Sequence, residues 1–371
     1  MMVARNLLKF LFPCGVHFGI LPAQAGSASL AAAEPAGPVR MPEESAPHLR
    51  TWMQWPELTA SYGNEDYLAL VRHDLAKLAA TIAQFEEVFM LARPAQVGNA
   101  QRLCGTTVKV LPVAVDDMWA RDSCPIFAVD GQGAEVLVDL NFNGWGGKQR
   151  HEEDARIAAR IAERQHIPRL RAGLVSEGGA IEVDGDGTVL TTESSLLNDN
   201  RNAGLRKRQL ESRLHAALGT SKVIWLPGIR GQDITDGHID GLARFIRPGL
   251  ALVELMPEGD RSEEARMAEN AVAQLRASTD ARGRQIEVAT IRRSRTCRSD
   301  RDDFFNGYVN YYVCNGAVIM PQFGDAHADM AAARTLSGLY PGRKIVQLNV
   351  DRICENGGGI HCVTQQQPAL A

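Results

Sequence analysis

Four short islands in this chain hold residue types that can do chemistry together. Cys362 ends the run Gly357-Gly358-Gly359-Ile360-His361-Cys362. Ahead of it lie Trp119-Ala120-Arg121-Asp122, Glu177-Gly178-Gly179 and Asp236-Gly237-His238-Ile239-Asp240. A thiol becomes a strong nucleophile once deprotonated, and an imidazole moves protons near neutral pH. The carboxylates at Asp122, Glu177 and Asp240 supply negative charge. A nucleophile, a base and several carboxylates without a metal cage suit attack on a cationic carbon, and a guanidinium group carries one.

Residue spacing supports the grouping. His238 and Asp240 are two apart, so in an extended segment both side chains leave the same side. Glycines beside the reactive residues, at 178–179, 237 and 357–359, let backbone approach a ligand. Each island also has a plainer reading. Asp122, next to Arg121, could serve a structural ion pair with a neighbouring module. Glu177 could cap a turn, and the segment around His238 could be a surface turn. Three glycine turns, each beside a nucleophile, an acid or a base, argue together for one site. The triple glycine is not a dinucleotide fingerprint, because no G-x-G-x-x-G opens a helix after a strand.

The elements that must position these islands are short strands alternating with amphipathic helices. Residues 88–90, 108–113, 134–140, 223–226, 250–254 and 317–320 read as strands. Residues 66–84 read as a helix whose Leu68, Leu70, Val71, Leu75 and Leu78 form one broad face, and 155–165 as another. This alternation predicts an α/β fold. Trp55-Pro56, Asp122, Glu177 and His238 are separated by 67, 55 and 61 residues, and Cys362 lies 124 beyond His238. A step of roughly 60 residues predicts five similar units around a centre, each delivering a loop to a shared site.

With 371 residues, 45% hydrophobic and 23% charged, the chain is long enough for a large core. A net charge of −4 without a dense basic stretch gives no nucleic-acid signal. The seven cysteines, at 14, 104, 124, 297, 314, 354 and 362, include no CxxC pair and no zinc-ligand spacing. Cys104, Cys124 and Cys314 read as small core hydrophobes. No metal and no organic cofactor is called for. Arg5 and Lys9 precede an apolar stretch over 10–22, and Ala23-Gln24-Ala25 offers a cleavage site. Residues 1–25 therefore read as a signal peptide, 26–40 as an Ala/Gly/Pro/Ser-rich linker and 41–371 as a single catalytic domain. That predicts a periplasmic or secreted protein, or a cytoplasmic one if translation starts at Met41. Beyond export no membrane role is expected, and whether copies associate into a homo-oligomer is left open.

The longer motifs carry a family resemblance. Met41-Pro42-Glu43 and Trp52-Met53-Gln54-Trp55-Pro56 resemble the opening of the agmatine deiminases. So do Trp119-Ala120-Arg121-Asp122-Ser123-Cys124-Pro125, Asn141-Phe142-Asn143-Gly144-Trp145-Gly146-Gly147-Lys148 and Glu177-Gly178-Gly179-Ala180-Ile181-Glu182-Val183. Asp233-Ile234-Thr235-Asp236-Gly237-His238-Ile239-Asp240, the stretch 310–325 and Gly358-Gly359-Ile360-His361-Cys362-Val363-Thr364-Gln365-Gln366 continue it. Agmatine deiminases share a family with bacterial peptidylarginine deiminases of the Porphyromonas type, among the guanidine-modifying enzymes.

The resemblance implies a five-bladed pseudo-symmetric α/β propeller of ββαβ units around a central site. It implies Cys362 as nucleophile, His238 as general acid/base and Glu177 as the carboxylate orienting the histidine. Asp122 and Asp240 would grip the guanidinium, with Trp119 lining the slot and Gly359 beside the substrate. The implied reaction hydrolyses a C–N bond of a linear amidine, turning agmatine into N-carbamoylputrescine and ammonia through a cysteine thiouronium. Two departures bear on substrate. The segment 292–305 is unusually rich in arginine, and a targeting segment is unusual for an enzyme of polyamine metabolism. A secreted enzyme converting protein arginine to citrulline is the alternative.

Overall fold

The computed structural model describes residues 37–57 and 59–370. The segment read as a signal peptide and most of the linker lie outside the described residues. Val39 and Arg40, counted above with the linker, are tied into the body. Val39 is buried, and Arg40 forms a β-bridge with Val129.

The strand–helix alternation folds into five small sheets. The first opens with β1 (His48–Gln54), β2 (Glu87–Ala92) and β3 (Val108–Pro112), each parallel to the next. The second holds β4 (Ile126–Val129), β5 (Glu135–Asp139) and β6 (Arg169–Arg171), with β4 antiparallel to β5 and β5 parallel to β6. β7 (Glu182–Val183), β8 (Thr188–Thr192) and β9 (Lys222–Leu226) repeat that pattern. So do β10 (Ala243–Arg247), β11 (Leu250–Leu255) and β12 (Glu287–Arg292). The fifth set is β13 (Tyr312–Cys314), β14 (Ala317–Pro321) and β15 (Lys344–Leu348). β16 (Gln365–Pro368) then pairs antiparallel with β1 and completes the first blade. The result is the five-bladed propeller of ββαβ units, with one extra helix–strand step in the first blade.

A parallel third strand needs a crossover, and a helix supplies it. The first crossover, Glu65–Ile82, starts where the Asn64 side chain accepts the Tyr67 N–H, with Glu65 and Asp66 in the first turn. It buries Leu68, Val71, Leu75, Leu78 and Ile82. Leu70, placed on that face by the sequence reading, is 50% exposed, because two residues turn a helix by about 200°. The helices Ile157–Gln165, Lys207–Leu218, Glu263–Arg276 and Ala326–Leu339 serve the other blades.

Apolar packing lies mainly between blades. Trp52, Phe89, Phe127, Leu137 and Ile157 join the first two, and Leu190, Ile224, Phe245, Val253 and Leu275 the third and fourth. Each such burial stabilises by about 1.5–3 kcal/mol. Where the blades converge the filling is polar instead: Glu44, Arg121, Glu182, Arg244 and His361 are all buried. Among the described residues no helix is long and apolar enough to cross a membrane.

Candidate active site

Five loops, each just ahead of the first strand of a blade's hairpin, build one site. Asp122 precedes β4, Glu177 precedes β7, His238 precedes β10, Asn310 precedes β13 and Cys362 precedes β16. The successive steps are 55, 61, 72 and 52 residues. The spacing argument therefore holds with one replacement: the fifth unit contributes Asn310, while Trp55 is a fully buried core residue.

These loops enclose a narrow slot of about 80 Å³ lined by Trp119, Asp122, His238, Asp240, Asn310 and Cys362, with Trp145 and Phe305 on its flanks. Glu177 stands behind the wall, where His238 Nε2 lies 3.3 Å from its Oε2. The other ring nitrogen, Nδ1, is 3.7 Å from Asp122 Oδ1 and faces the slot. The Cys362 sulfur is 3.7 Å from Asp240 Oδ2 and accepts an amide hydrogen from Asn310 at 3.3 Å. Gly359 is packed against Asn310 behind the wall, and its backbone amide faces the Cys362 sulfur. The glycines of the wall itself are Gly241, Gly357 and Gly358. A Cβ on Gly358 would lie 2.5 Å from the Trp119 ring, so only glycine lets the indole rest on the nucleophile loop.

The two carboxylates of the slot are fixed by different partners. Asp122 accepts the Trp145 indole N–H at 2.9 Å and the Gly179 backbone N–H at 3.0 Å. Asp240 accepts from His361 at 2.7 Å and from Asn310 at 3.3 Å. Trp145 and Asn310 had no role assigned from sequence. Trp145 sits in a left-handed turn (φ 55°) inside one of the family motifs, and Asn310 falls on the repeat step; those were the available signals.

Electrostatics sort the groups. Burial pushes the Asp122 carboxyl up to about 6, with nearby Asp240 and Glu177 adding to it against the pull of His238. Burial alone would lower His238, but Asp122, Glu177 and Asp240 outweigh it and raise the imidazole to about 9. The Cys362 thiol is pushed well above its ordinary value by burial and by Asp240 and Asp122. Cys104, Cys124 and Cys314 are buried thiols raised by burial, as the sequence reading expects of core cysteines. Burial would raise Glu177 as well, but the bond to His238 and the Arg201 guanidinium hold it below the usual range.

Arg201 is a third residue that sequence reading missed. Its side chain is fully buried, and it donates to Glu177 Oε1 at 2.9 Å and Asp236 Oδ2 at 2.6 Å. Asp236 holds a left-handed backbone (φ 65°) just before His238, a conformation that costs on the order of 1 kcal/mol and is kept by these bonds. Arg201→Met removes the guanidinium that two buried carboxylates share, leaving Glu177 with His238 alone and Asp236 with Lys148. It is expected to destabilise the fold by about 3–5 kcal/mol in urea unfolding; a change below about 1 kcal/mol would show that the pair is idle.

A cleft of about 460 Å³ shares the wall formed by Asp233, Ile234, His238, Phe305 and Gly357. Part of the arginine-rich segment, Arg293 and 302–305, lines it. Arg293 is paired there with Glu254 and Glu264, and Arg298 with Asp351.

A half-buried thiol, an imidazole and two carboxylates converging on one slot of a five-bladed propeller define a cysteine-dependent, guanidine-modifying hydrolase. Comparison with known proteins agrees. Residues 40–368 match the Porphyromonas-type peptidyl-arginine deiminase family, and the chain belongs to that family. It is 37% identical to the agmatine deiminase of Medicago truncatula, covering 89% of this chain and 96% of that protein. To the agmatine deiminase of Stutzerimonas stutzeri it is 36% identical, covering 89% and 95%. The solved structure of Enterococcus faecalis agmatine deiminase matches with a TM-score of 0.83 at 32% identity, covering 89% and 96%.

Proposed function

We infer that this chain hydrolyses agmatine to N-carbamoylputrescine and ammonia, with Cys362 as the nucleophile. The observation that carries this reading is the pair Asp122 and Asp240 facing Cys362 and His238 across one slot. Two carboxylates can hold the N–H groups of a planar guanidinium and fix its plane for attack by sulfur. In the empty slot those same carboxylates oppose the thiolate. A bound cation neutralises them, so the thiolate forms when substrate is there to receive it. Sulfur adds to the guanidinium carbon, and protonated His238 gives its proton from Nδ1 to the departing ammonia. An S-alkylthiouronium remains on Cys362. His238 then takes a proton from water, which attacks the same carbon and releases the ureido product and the thiol.

The pH dependence follows from the site's charges. kcat/KM reports groups of the free enzyme. Asp122 must be ionised to grip, so activity should rise with pH through about 6. His238 must hold a proton for the leaving group, so activity should fall through about 9. Both limbs are read from initial rates across that range; a profile flat through pH 6 would remove Asp122 from the grip.

One observation favours a second substrate, arginine within a peptide: the adjoining cleft leaves room beside the slot for more than an aminobutyl chain. Ammonia release from agmatine, free arginine and an internal-arginine peptide at equal concentration separates the readings. Turnover of agmatine alone supports the first, and turnover of the peptide overturns it. Export directed by residues 1–25 is proposed alongside. Periplasmic recovery of a full-length reporter fusion, lost on deleting those residues, is its test.

A further inference from the structure

His361 adjoins the nucleophile in sequence but faces away from the slot, and its side chain is 1% exposed. Its Nδ1 lies 2.7 Å from Asp240 Oδ2 and its Nε2 lies 2.7 Å from Glu44 Oε2. A ring nitrogen this close to a carboxylate oxygen needs a proton between them, because two lone pairs would repel. Each contact therefore holds a proton between ring and carboxylate, and the ring is tied at both ends. The ring lies in a buried polar cluster with Glu44, Glu182, Asp240, Arg121 and Arg244.

We propose that His361 is a positioning residue: clamped between Glu44 and Asp240, it fixes Asp240 as the carboxylate that receives the substrate's guanidinium. This rests on the reading of Asp240 as a gripping residue. The groups facing Asp240 are His361, Asn310, His238, Arg244, Cys362 and Asp122. Burial would raise its carboxyl, and His361 is the leading influence that holds it down instead. Glu44 anchors the far side of the ring through Arg244 at 2.8 Å, Arg121 at 3.3 Å and the Val313 N–H at 2.9 Å. The anchor spans blades, so Asp240 is oriented by the closed ring rather than by its own loop.

The test compares kcat and KM for agmatine against pH in wild type, His361→Asn, Glu44→Gln and Asp240→Asn, with thermal melts of each. His361→Asn should raise KM about ten- to a hundredfold, the range typical of losing a ligand's outer partner. The acid limb of kcat/KM should move to higher pH, with kcat at saturation within about threefold. Glu44→Gln should move the limb the same way by less, since the His361 ring stays beside Asp240. This variant also carries the test if His361→Asn fails to fold. A folded His361→Asn with unchanged KM and acid limb, beside an Asp240→Asn of raised KM, overturns the proposal alone. Unchanged KM in Asp240→Asn removes the gripping role of Asp240, and the proposal with it.

Discussion

Cys362→Ser should lower turnover by on the order of 10⁴–10⁶-fold, as removal of an acting nucleophile does elsewhere. The oxygen would occupy nearly the same place, so the loss is chemical. Burial, and then Asp240 and Asp122, already oppose an anion at this position strongly enough to push up a thiol. A hydroxyl, far less acidic, stays protonated there even with a bound cation to help. Binding should survive, because Asp122 keeps its bonds to Trp145 and Gly179 and Asp240 its bonds to His361 and Asn310. The pair of measurements is kcat by ammonia release and agmatine affinity by calorimetry on the same preparation. Acid quenching of the wild type should trap added mass on Cys362, and none on the serine variant. Retention of about 1% of wild-type kcat or more would sink the covalent mechanism.

Gly179→Ala, a single added methyl, should lower kcat/KM by about 10²–10⁴-fold. The methyl carbon would lie 2.6 Å from His238 Nδ1, 2.8 Å from Asp122 Oδ1 and 3.2 Å from Asp240 Oδ2. Those atoms surround the place where the guanidinium must sit. None is the free end of a flexible chain: Glu177 holds the imidazole, and Trp145 holds Asp122. Something must move by a large fraction of an ångström, and a displacement of about 1 Å at a reacting centre costs on the order of 100-fold. The fold itself should lose only about 1–3 kcal/mol, the usual range for a forced extra methyl. Kinetics and a denaturant melt of one sample separate the two effects. Activity within tenfold of wild type would mean that the slot is looser than its geometry.

Strands built from apolar runs were legible because their burial is a local property. Residues 108–113, 223–226, 250–254 and 317–320 match β3, β9, β11 and β14 to within a residue or so at each end. β16 was not legible. Gln365, Gln366 and Gln367 show no apolar pattern, yet all three are buried. Gln367 accepts the Trp52 indole N–H and donates to Glu135, and Gln366 accepts from Arg121. Partners that lie between about 230 and 315 residues away leave no periodic trace. Non-local contacts likewise hide Arg201, Asn310 and His361, whose partners lie 24 and 35, 52 and 70, and 121 and 317 residues away. Cys362, His238, Asp122, Asp240 and Glu177 stood out because glycines and motif runs mark them locally.

The pairing of β16 with β1 has a consequence for the life of the molecule. Cys362 lies three residues before the strand that seals the ring, and β1 was made some three hundred residues earlier on the ribosome. Four blades can fold while the chain is still emerging, but the nucleophile reaches its partners only with the closing strand. No partly made chain is therefore an active enzyme. The thiol first meets His238 and Asp240 in the step that finishes the architecture, so the appearance of activity dates ring closure during synthesis.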